Sequence, residues 1–145
     1  MSELTASSYA PSLRAVSTTP TSLAQLALRV GLGGVFWTSA RTKVDGTLSV
    51  SDTTLYLFAE EYRLPLIPSD LAAYLATYAE HALPILLLVG LGTRLAGLGF
   101  FVMAAVIQLF VYPDAFLSTH LGWLAMASAI IIYGPGRYSL DHIFF

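Results

Sequence analysis

Apolar residues dominate four stretches of the chain, and each is close to the length of a transmembrane helix. Crossing the hydrocarbon core takes roughly 20 helical residues at 1.5 Å each. The stretches lie at about 22–40, 70–90, 93–112 and 118–134. The second and third are joined by so few residues that their helices must be antiparallel neighbours. This pattern predicts an all-α fold, a transmembrane bundle of four membrane-spanning helices.

Two regions lie outside these spans. Residues 1–21 are rich in Ser, Thr and Pro and show no periodicity, which predicts a flexible, extended or loosely ordered N-terminal arm. Residues 41–68 form the longest connection and hold many of the charges. Within it, residues 52–62 place Leu55 and Phe58 on one helical stripe, which predicts a short surface amphipathic helix between spans one and two.

The composition supports a membrane protein. Of the 145 residues 56% are hydrophobic and 11% are charged, against about 25% charged in soluble domains. We therefore expect the lipid bilayer to be a partner. A net charge of -2 and the lack of a basic run argue against a nucleic-acid partner. The chain has no cysteine, which excludes disulfides and thiolate ligands, and no His, Asp and Glu spacing resembles a metal site.

Several polar residues fall inside the predicted spans, where an unpaired charge costs on the order of 3 kcal/mol. Counted from the side of the termini, Arg29 lies about 10 Å deep and Glu80 about 15 Å deep at 1.5 Å per residue. The sequence therefore predicts a buried pair of Arg29 with Glu80. Arg94 and Gln108 share the inner face of span three and complete the predicted polar core. Whether this pair is structural or functional stays open at this point.

A second polar group lies near the opposite membrane surface. Its members are candidate contacts for a ligand or a quinone head group: Lys43, Tyr112, His120 and Trp123. An aromatic belt at the head-group level is the alternative explanation for the tyrosine and the tryptophan. His120 lies at the mouth of a span, where a capping role is the alternative.

Three motifs resemble the DoxX family of small bacterial membrane proteins. The first runs from Glu80 through Leu-Pro to Gly-Leu-Gly-Thr-Arg94, the second is Arg29-Val-Gly-Leu-Gly-Gly-Val-Phe, and the third is Gly-Pro-Gly-Arg-Tyr-Ser-Leu-Asp141. The likeness extends over residues 22–145, which would form one DoxX-like membrane domain. The positions that match the family pattern are Arg29, Lys43, Glu80, Arg94, His120 and Asp141. Ala40 replaces a glycine that relatives usually carry before the lysine.

The resemblance implies a multi-pass protein of the bacterial cytoplasmic (inner) membrane that acts within a redox system. On that basis we expect a membrane subunit or anchor of a larger, quinone-linked assembly rather than a stand-alone enzyme, with other membrane or soluble redox subunits as partners. No cofactor is expected within the chain, and a quinone is the candidate ligand. Two alternatives are a carrier of small solutes and a non-catalytic scaffold that docks a soluble enzyme on residues 41–68.

Overall fold

The computed structural model describes residues 10–144, with side chains described from position 20 onward. The fold is almost entirely helical. The elements in chain order are α1 (Ala10–Arg41), β1 (Val44–Asp45), β2 (Ser49–Val50), α2 (Asp52–Glu60), α3 (Ser69–Val89), α4 (Thr93–Val106), a π-helical segment (Ile107–Val111), a 3₁₀ turn (Pro113–Ala115), a second π-helical segment (Phe116–His120), α5 (Leu121–Tyr133) and α6 (Leu140–Phe144).

Among the described residues, three helical stretches are long and apolar enough to cross a membrane: Ser69–Val89, Thr93–Val111 and Pro113–Tyr133. They coincide with three of the four predicted spans. The first predicted span, at about 22–40, lies within α1 and is not one of the three. Gln25 and Arg29 lower the hydropathy of α1.

The structure of residues 10–21 differs from the extended or loosely ordered arm that the sequence predicts. Positions 1–9 of the predicted arm lie outside the described residues. From Ala10 onward the backbone is helical rather than extended, and α1 continues through Pro20. The Ser/Thr-rich sequence of this part has no apolar periodicity, so the pattern of hydrophobic residues gave no sign of the helix.

The long helices pack pairwise around a shared apolar core. α1 lies along α3 and α5, while α4 lies against α5 and α3. Phe36 of α1 contacts Phe100 of α4 with ring centroids 4.7 Å apart, and Trp123 of α5 with centroids 5.0 Å apart. Leu32 and Leu87 are fully buried in the same core. The aromatic rings thus join three helices near the centre of the molecule.

Gly33 of α1 lies opposite Pro84 of α3, which defines the observed register of the two helices. A Cβ atom added to Gly33 would lie 3.6 Å from the carbonyl oxygen of Pro84. Further along, the ring centroids of Trp37 and His81 are 5.5 Å apart. Residue numbers rise along α1 as they fall along α3, so the two helices run antiparallel. Small residues at such a crossing allow backbones to approach closely.

The connection between α1 and α3 carries a β-hairpin and a short helix. β1 and β2 pair antiparallel around Gly46, which has a φ of 70°. The amphipathic helix predicted here is present as α2. Its N-cap Ser51 accepts a hydrogen bond from the backbone N–H of Thr54. Phe58 is buried against Ala72 and Ala73, so α2 covers the first turns of α3.

Candidate functional site

Arg29 is bound by main-chain carbonyl groups. Its Nε donates to Leu87 O at 2.7 Å and its Nη2 to Leu88 O at 2.9 Å. Nη1 donates to Pro135 O at 2.9 Å and Tyr138 O at 2.7 Å. Four of the five guanidinium N–H groups are thereby used. Only 1% of this side chain is exposed, so Arg29 joins α1 to the end of α3 and to the segment after α5.

The predicted direct pair of Arg29 with Glu80 is therefore wrong. In the observed register Arg29 lies opposite Leu87 and Leu88. Glu80 precedes His81, which lies opposite Trp37, eight residues further along α1 than Arg29. Eight residues correspond to roughly 12 Å of helix. Both side chains are buried as predicted, but the depth of each was counted from assumed span ends rather than from the contact that sets the register.

Asp141 binds the beginning of α4 at the same end of the bundle. Its carboxylate accepts hydrogen bonds from the N–H groups of Gly92 at 2.7 Å and Thr93 at 2.8 Å. Burial by itself would raise the pKa of the Asp141 carboxyl, but these hydrogen bonds and the nearby Arg29 guanidinium lower it below its usual value. Asp141 is therefore an anion at neutral pH, placed at the positive end of a helix dipole.

We call Gln25, Arg29, Gly90, Ser139 and Asp141 the Arg29 cluster. Gln25 Nε2 donates to Tyr133 O at 2.8 Å, and the N–H of Asp141 donates to Gly90 O at 2.8 Å. A Cβ atom on Gly90 would lie 2.5 Å from Ser139 Cβ and 2.7 Å from Arg29 Nη2. The cluster is too tightly packed at this point to admit a ligand.

Arg94 was predicted to belong to a buried polar core, and this prediction is wrong. Arg94 is exposed at the first turn of α4 and lies beside Gly134. Gln108 is partly buried, but it lies near the other end of α4 from Arg94. An arginine at the mouth of a span keeps its guanidinium in water at a lower cost than burial would require.

Glu80 forms an ion pair with Lys43. Lys43 Nζ lies 2.8 Å from Glu80 Oε2 and also 2.8 Å from Ser39 Oγ. Glu80 is 4% exposed at its side chain and Lys43 is 16% exposed. The lysine follows the last turn of α1, and the hydrogen bond from Ser51 N to Lys43 O holds its backbone against the hairpin. The ion pair therefore supplies the charge compensation that the sequence demanded for Glu80.

A cleft of about 670 Å³ opens beside this ion pair. This volume is within the range of about 300–1,000 Å³ that small-molecule sites occupy. The charged and aromatic residues that line it are Lys43, Phe58, Tyr62, Glu80, Tyr112, His120 and Trp123. The remaining lining is almost entirely apolar and comes from α2, α3, α4 and the segments around them.

The apolar part of the cleft runs along the groove between α3 and α4. Its rim includes Leu95, Leu98 and Val102 of α4, which are 75%, 49% and 54% exposed. From Leu95 to Val106 this wall is roughly 16 Å long at the helical rise. Exposed leucine and valine on helices of this length and composition face lipid, so the groove is accessible from the bilayer.

Two hydrogen-bonded pairs border the polar part of the cleft. His120 Nδ1 lies 2.6 Å from Gln108 Oε1, and the hydroxyl groups of Tyr62 and Tyr112 are 2.7 Å apart. Burial and the hydrogen bond to Tyr112 raise the pKa of Tyr62. Tyr62 is therefore protonated at neutral pH. The pair lies where residues between α2 and α3 meet the end of the third predicted span.

The four candidate ligand contacts predicted from the sequence, Lys43, Tyr112, His120 and Trp123, all line the cleft. Whether any of them touches a ligand stays a prediction. Sequence reasoning missed Tyr62 as a lining residue. A signal was present, because Tyr62 lies on the same apolar stripe of residues 52–62 as Leu55 and Phe58. It also placed Glu80 with the wrong partner and so did not connect it to this group.

The sequence matches the DoxX family over residues 24–113, which is more than half of the chain. The chain belongs to the DoxX family. The match includes Arg29, Lys43, Glu80 and Gln108 and ends before His120 and Asp141. No curated protein and no solved structure matches the chain.

Membership of the DoxX family and the apolar helices together identify a multi-pass integral membrane protein. Within the described residues no group of three or more His, Asp or Glu side chains is arranged to hold a metal ion. The cleft of this DoxX protein brings together one carboxylate, one ammonium, one imidazole and two phenols at its polar part.

Proposed function

We propose that this DoxX protein is the membrane subunit of a larger, quinone-linked redox assembly, and that its cleft receives the quinone head group. The observation that carries the proposal is the shape and polarity of the cleft. A lipid-accessible apolar groove leads to a buried ion pair, an imidazole and two phenols. A molecule with a long apolar tail and a small polar head is the ligand that such a site complements.

The proposal assigns a role to each part of the cleft. The groove between α3 and α4 would hold the tail, because its walls are apolar and its rim faces lipid. The head would lie beside Glu80 and His120. The chain itself supplies no thiol for electron transfer, so the electrons would come from a partner subunit. In this proposal the chain binds the quinone and the partner subunit supplies the electrons.

We further propose that α1 crosses the membrane as a fourth span, in the cytoplasmic membrane of a bacterium and with the termini on the cytoplasmic side. α1 packs along α3 and α5, which belong to two of the stretches long enough to span, Ser69–Val89 and Pro113–Tyr133. Gln25 and Arg29, two strongly polar side chains within its apolar part, are turned inward and hydrogen-bonded. The polar groups that lower its hydropathy are therefore satisfied within the protein, as a membrane requires.

The test is copurification from native membranes, with quinone extraction and identification of partners on the same sample. We expect quinone to copurify with the wild-type protein and to be lost from the Glu80→Gln variant, because that change removes the negative charge from the cleft. Asp70→Asn is the matched control. It makes the same chemical change on the same helix, at an exposed position that does not line the cleft.

If the Glu80→Gln variant retains quinone, the Glu80 carboxylate does not take part in quinone binding. Equal amounts of quinone in a preparation of an unrelated membrane protein would contradict the proposal as a whole. Binding alone is not turnover, so the redox role needs a second result. Quinone-dependent activity of the copurified assembly should fall in Glu80→Gln and stay unchanged in Asp70→Asn.

A scaffold that docks a soluble enzyme is the second candidate, favoured by one observation. Leu66, in the connection before α3, is 92% exposed, and Tyr56 of α2 is 65% exposed. Neither lines the cleft. If Leu66→Ser abolishes capture of a soluble partner while quinone still copurifies, docking and quinone binding are separate functions of the same protein.

A further inference from the structure

Gln108 and His120 form a hydrogen-bonded pair across the turn between α4 and α5. The two atoms, Gln108 Oε1 and His120 Nδ1, are 2.6 Å apart. Gln108 lies in the π-helical segment Ile107–Val111, and His120 ends the second π-helical segment, Phe116–His120. A π-helical turn is rarer and less stable than an α-helical one, and such turns are frequent at functional sites. Here each of the two segments contributes one member of the pair.

The orientation of the Gln108 amide is fixed by its second hydrogen bond. Gln108 Nε2 donates to Pro113 O at 2.8 Å. The reversed amide would place its oxygen against that carbonyl oxygen, and two acceptors cannot bond to each other. The oxygen of the amide therefore faces His120. An amide oxygen only accepts hydrogen bonds, so the proton of the neutral imidazole must lie on Nδ1.

In this tautomer His120 Nε2 carries a lone pair and accepts hydrogen bonds. The ring is 2% exposed and lines the cleft, whereas Gln108 is not among the lining residues. Nδ1 therefore points away from the cleft, and the geometry of the ring turns Nε2 toward it. No described residue forms a hydrogen bond with Nε2, so its lone pair is available to a ligand.

The other strong polar groups of the cleft have a matching character. The ammonium of Lys43 already donates to Glu80 Oε2 and to the hydroxyl and carbonyl oxygens of Ser39. Glu80 Oε1 forms no hydrogen bond with any residue that the structure describes. The strongest donor is thus committed, while a carboxylate oxygen and an imidazole nitrogen remain as acceptors. These two free acceptors complement a ligand head group whose hydroxyl groups donate hydrogen bonds.

We propose that Gln108 is a positioning residue that holds His120 in the Nδ1–H form, so that Nε2 accepts a hydrogen bond from a hydroxyl group of the ligand head. The ligand class follows from this geometry: a hydroquinone-type head with free hydroxyl groups binds better than one whose oxygens only accept. The hydrogen bond between His120 and the ligand rests on the proposed function, since it requires that the cleft bind an amphipathic molecule. The tautomer of His120 does not depend on the proposed function.

The first experiment measures the tautomer without any ligand. Protein with ¹⁵N-labelled histidine is examined in micelles by long-range ¹H–¹⁵N correlation, and His120 is assigned by its loss in His120→Gln. We expect Nδ1 protonated and Nε2 unprotonated. In Gln108→Met, which removes the acceptor at similar size, this preference should disappear. Leu109→Met is the control, because it alters the same segment at an exposed side chain outside the cleft.

The second experiment measures binding through Trp123, whose ring centroid is 5.1 Å from that of His120. The only other tryptophan is Trp37, so Trp37→Phe leaves Trp123 as the sole reporter. Quenching is titrated with a short-tailed hydroquinone, its quinone and its dimethyl ether. One lost hydrogen bond corresponds to about two- to tenfold in affinity. We expect the hydroquinone to bind at least about twofold more tightly than its quinone or its dimethyl ether. Gln108→Met should reduce this difference in affinity.

The outcomes separate the two halves. A proton on Nε2, or on both nitrogens, in the wild-type protein overturns the tautomer and the role of Gln108. The expected tautomer with equal affinity for the hydroquinone and its ether overturns Nε2 as the acceptor. The expected tautomer with no quenching by any of the three overturns the cleft as a ligand site, and with it the proposed function. Because the first measurement uses the wild-type chain, the test stands even if Gln108→Met fails to fold.

Discussion

The two ends of the bundle both bury charge, but they satisfy it in opposite ways. At the Arg29 cluster, the guanidinium and the Asp141 carboxylate are bound by main-chain groups of helix ends and of the segment after α5. A side chain on Gly90 would collide there with Ser139. At the cleft, Lys43 and Glu80 bind each other beside a cavity of about 670 Å³. The first arrangement uses nearly all the available hydrogen-bonding groups, whereas the second leaves some of them free.

This difference indicates which buried charges hold the fold together and which are suited to a ligand. Helix ends present carbonyl groups that have no partner within the helix, so an arginine bound to them completes the backbone. At the cleft, Glu80 Oε2 binds Lys43, whereas no described residue binds Oε1, so this oxygen can accept a hydrogen bond from a ligand. Substitutions in the Arg29 cluster should therefore reduce the stability of the fold, and those in the cleft should reduce ligand binding.

The largest effect is expected from Arg29→Met. The change removes four hydrogen bonds and leaves buried carbonyl oxygens without donors, at about 1–3 kcal/mol for each oxygen that water cannot reach. We expect the free energy of unfolding in detergent to fall by about 4 kcal/mol or more. Arg94→Met is the matched control at an exposed arginine and should change it by less than about 0.5 kcal/mol. Equal losses in the two variants would contradict a structural role specific to Arg29.

A smaller loss is expected from Gly90→Ala, compared with Gly92→Ala. Both glycines have a positive φ, 72° and 57°, which costs an alanine about 1–2 kcal/mol. Only at Gly90 would the added Cβ collide with Ser139 and Arg29, whereas no atom lies within 4 Å at Gly92. We expect thermal unfolding to show about 3 kcal/mol lost in the first variant and about 1 kcal/mol in the second. Similar losses would mean that the cluster is not tightly packed.

The smallest of the three effects is expected from Asp141→Asn, and it depends on pH. The pKa of this carboxyl is lowered in the folded protein, so its contribution is fully present above the unfolded value of about 3.9 and is lost as pH falls through the folded value. Near pH 7 we expect a loss of about 1–2 kcal/mol. At a pH below both values the variant and the wild type should unfold alike. A constant difference across this range would show that the negative charge of Asp141 does not matter.

The sequence was informative about which residues are buried and less so about their partners. The apolar stretches located α3, α4 and α5, and the cost of charge in hydrocarbon singled out Arg29 and Glu80. The error lay in the pairing. Depth along a helix was counted from assumed ends, whereas in the structure Gly33 lies opposite Pro84 and Arg29 opposite Leu87. A one-turn error in each of two helices is enough to exchange partners.

Main-chain acceptors were the other difficulty. Side chains that bind side chains can be sought among the charged residues of a sequence, but Arg29 binds four carbonyl groups, which every residue carries. The same holds for Asp141, whose donors are two backbone N–H groups. The π-helical segments that position Gln108 and His120 also have no sequence signal in the apolar pattern. Arg94 was misplaced for a simpler reason. The inner face of the third span was assumed to be buried as far as its first turn, where Arg94 is in fact exposed.

The carbonyl groups that hold Arg29 have a consequence for biosynthesis. Two of them, at Pro135 and Tyr138, follow the arginine by more than a hundred residues. While the ribosome is still producing α5, the Arg29 guanidinium can reach only the carbonyl groups of Leu87 and Leu88. α1 therefore reaches its mature environment only after residues 135–138 have been made, and synthesis of that segment is the step that fixes the first helix in place.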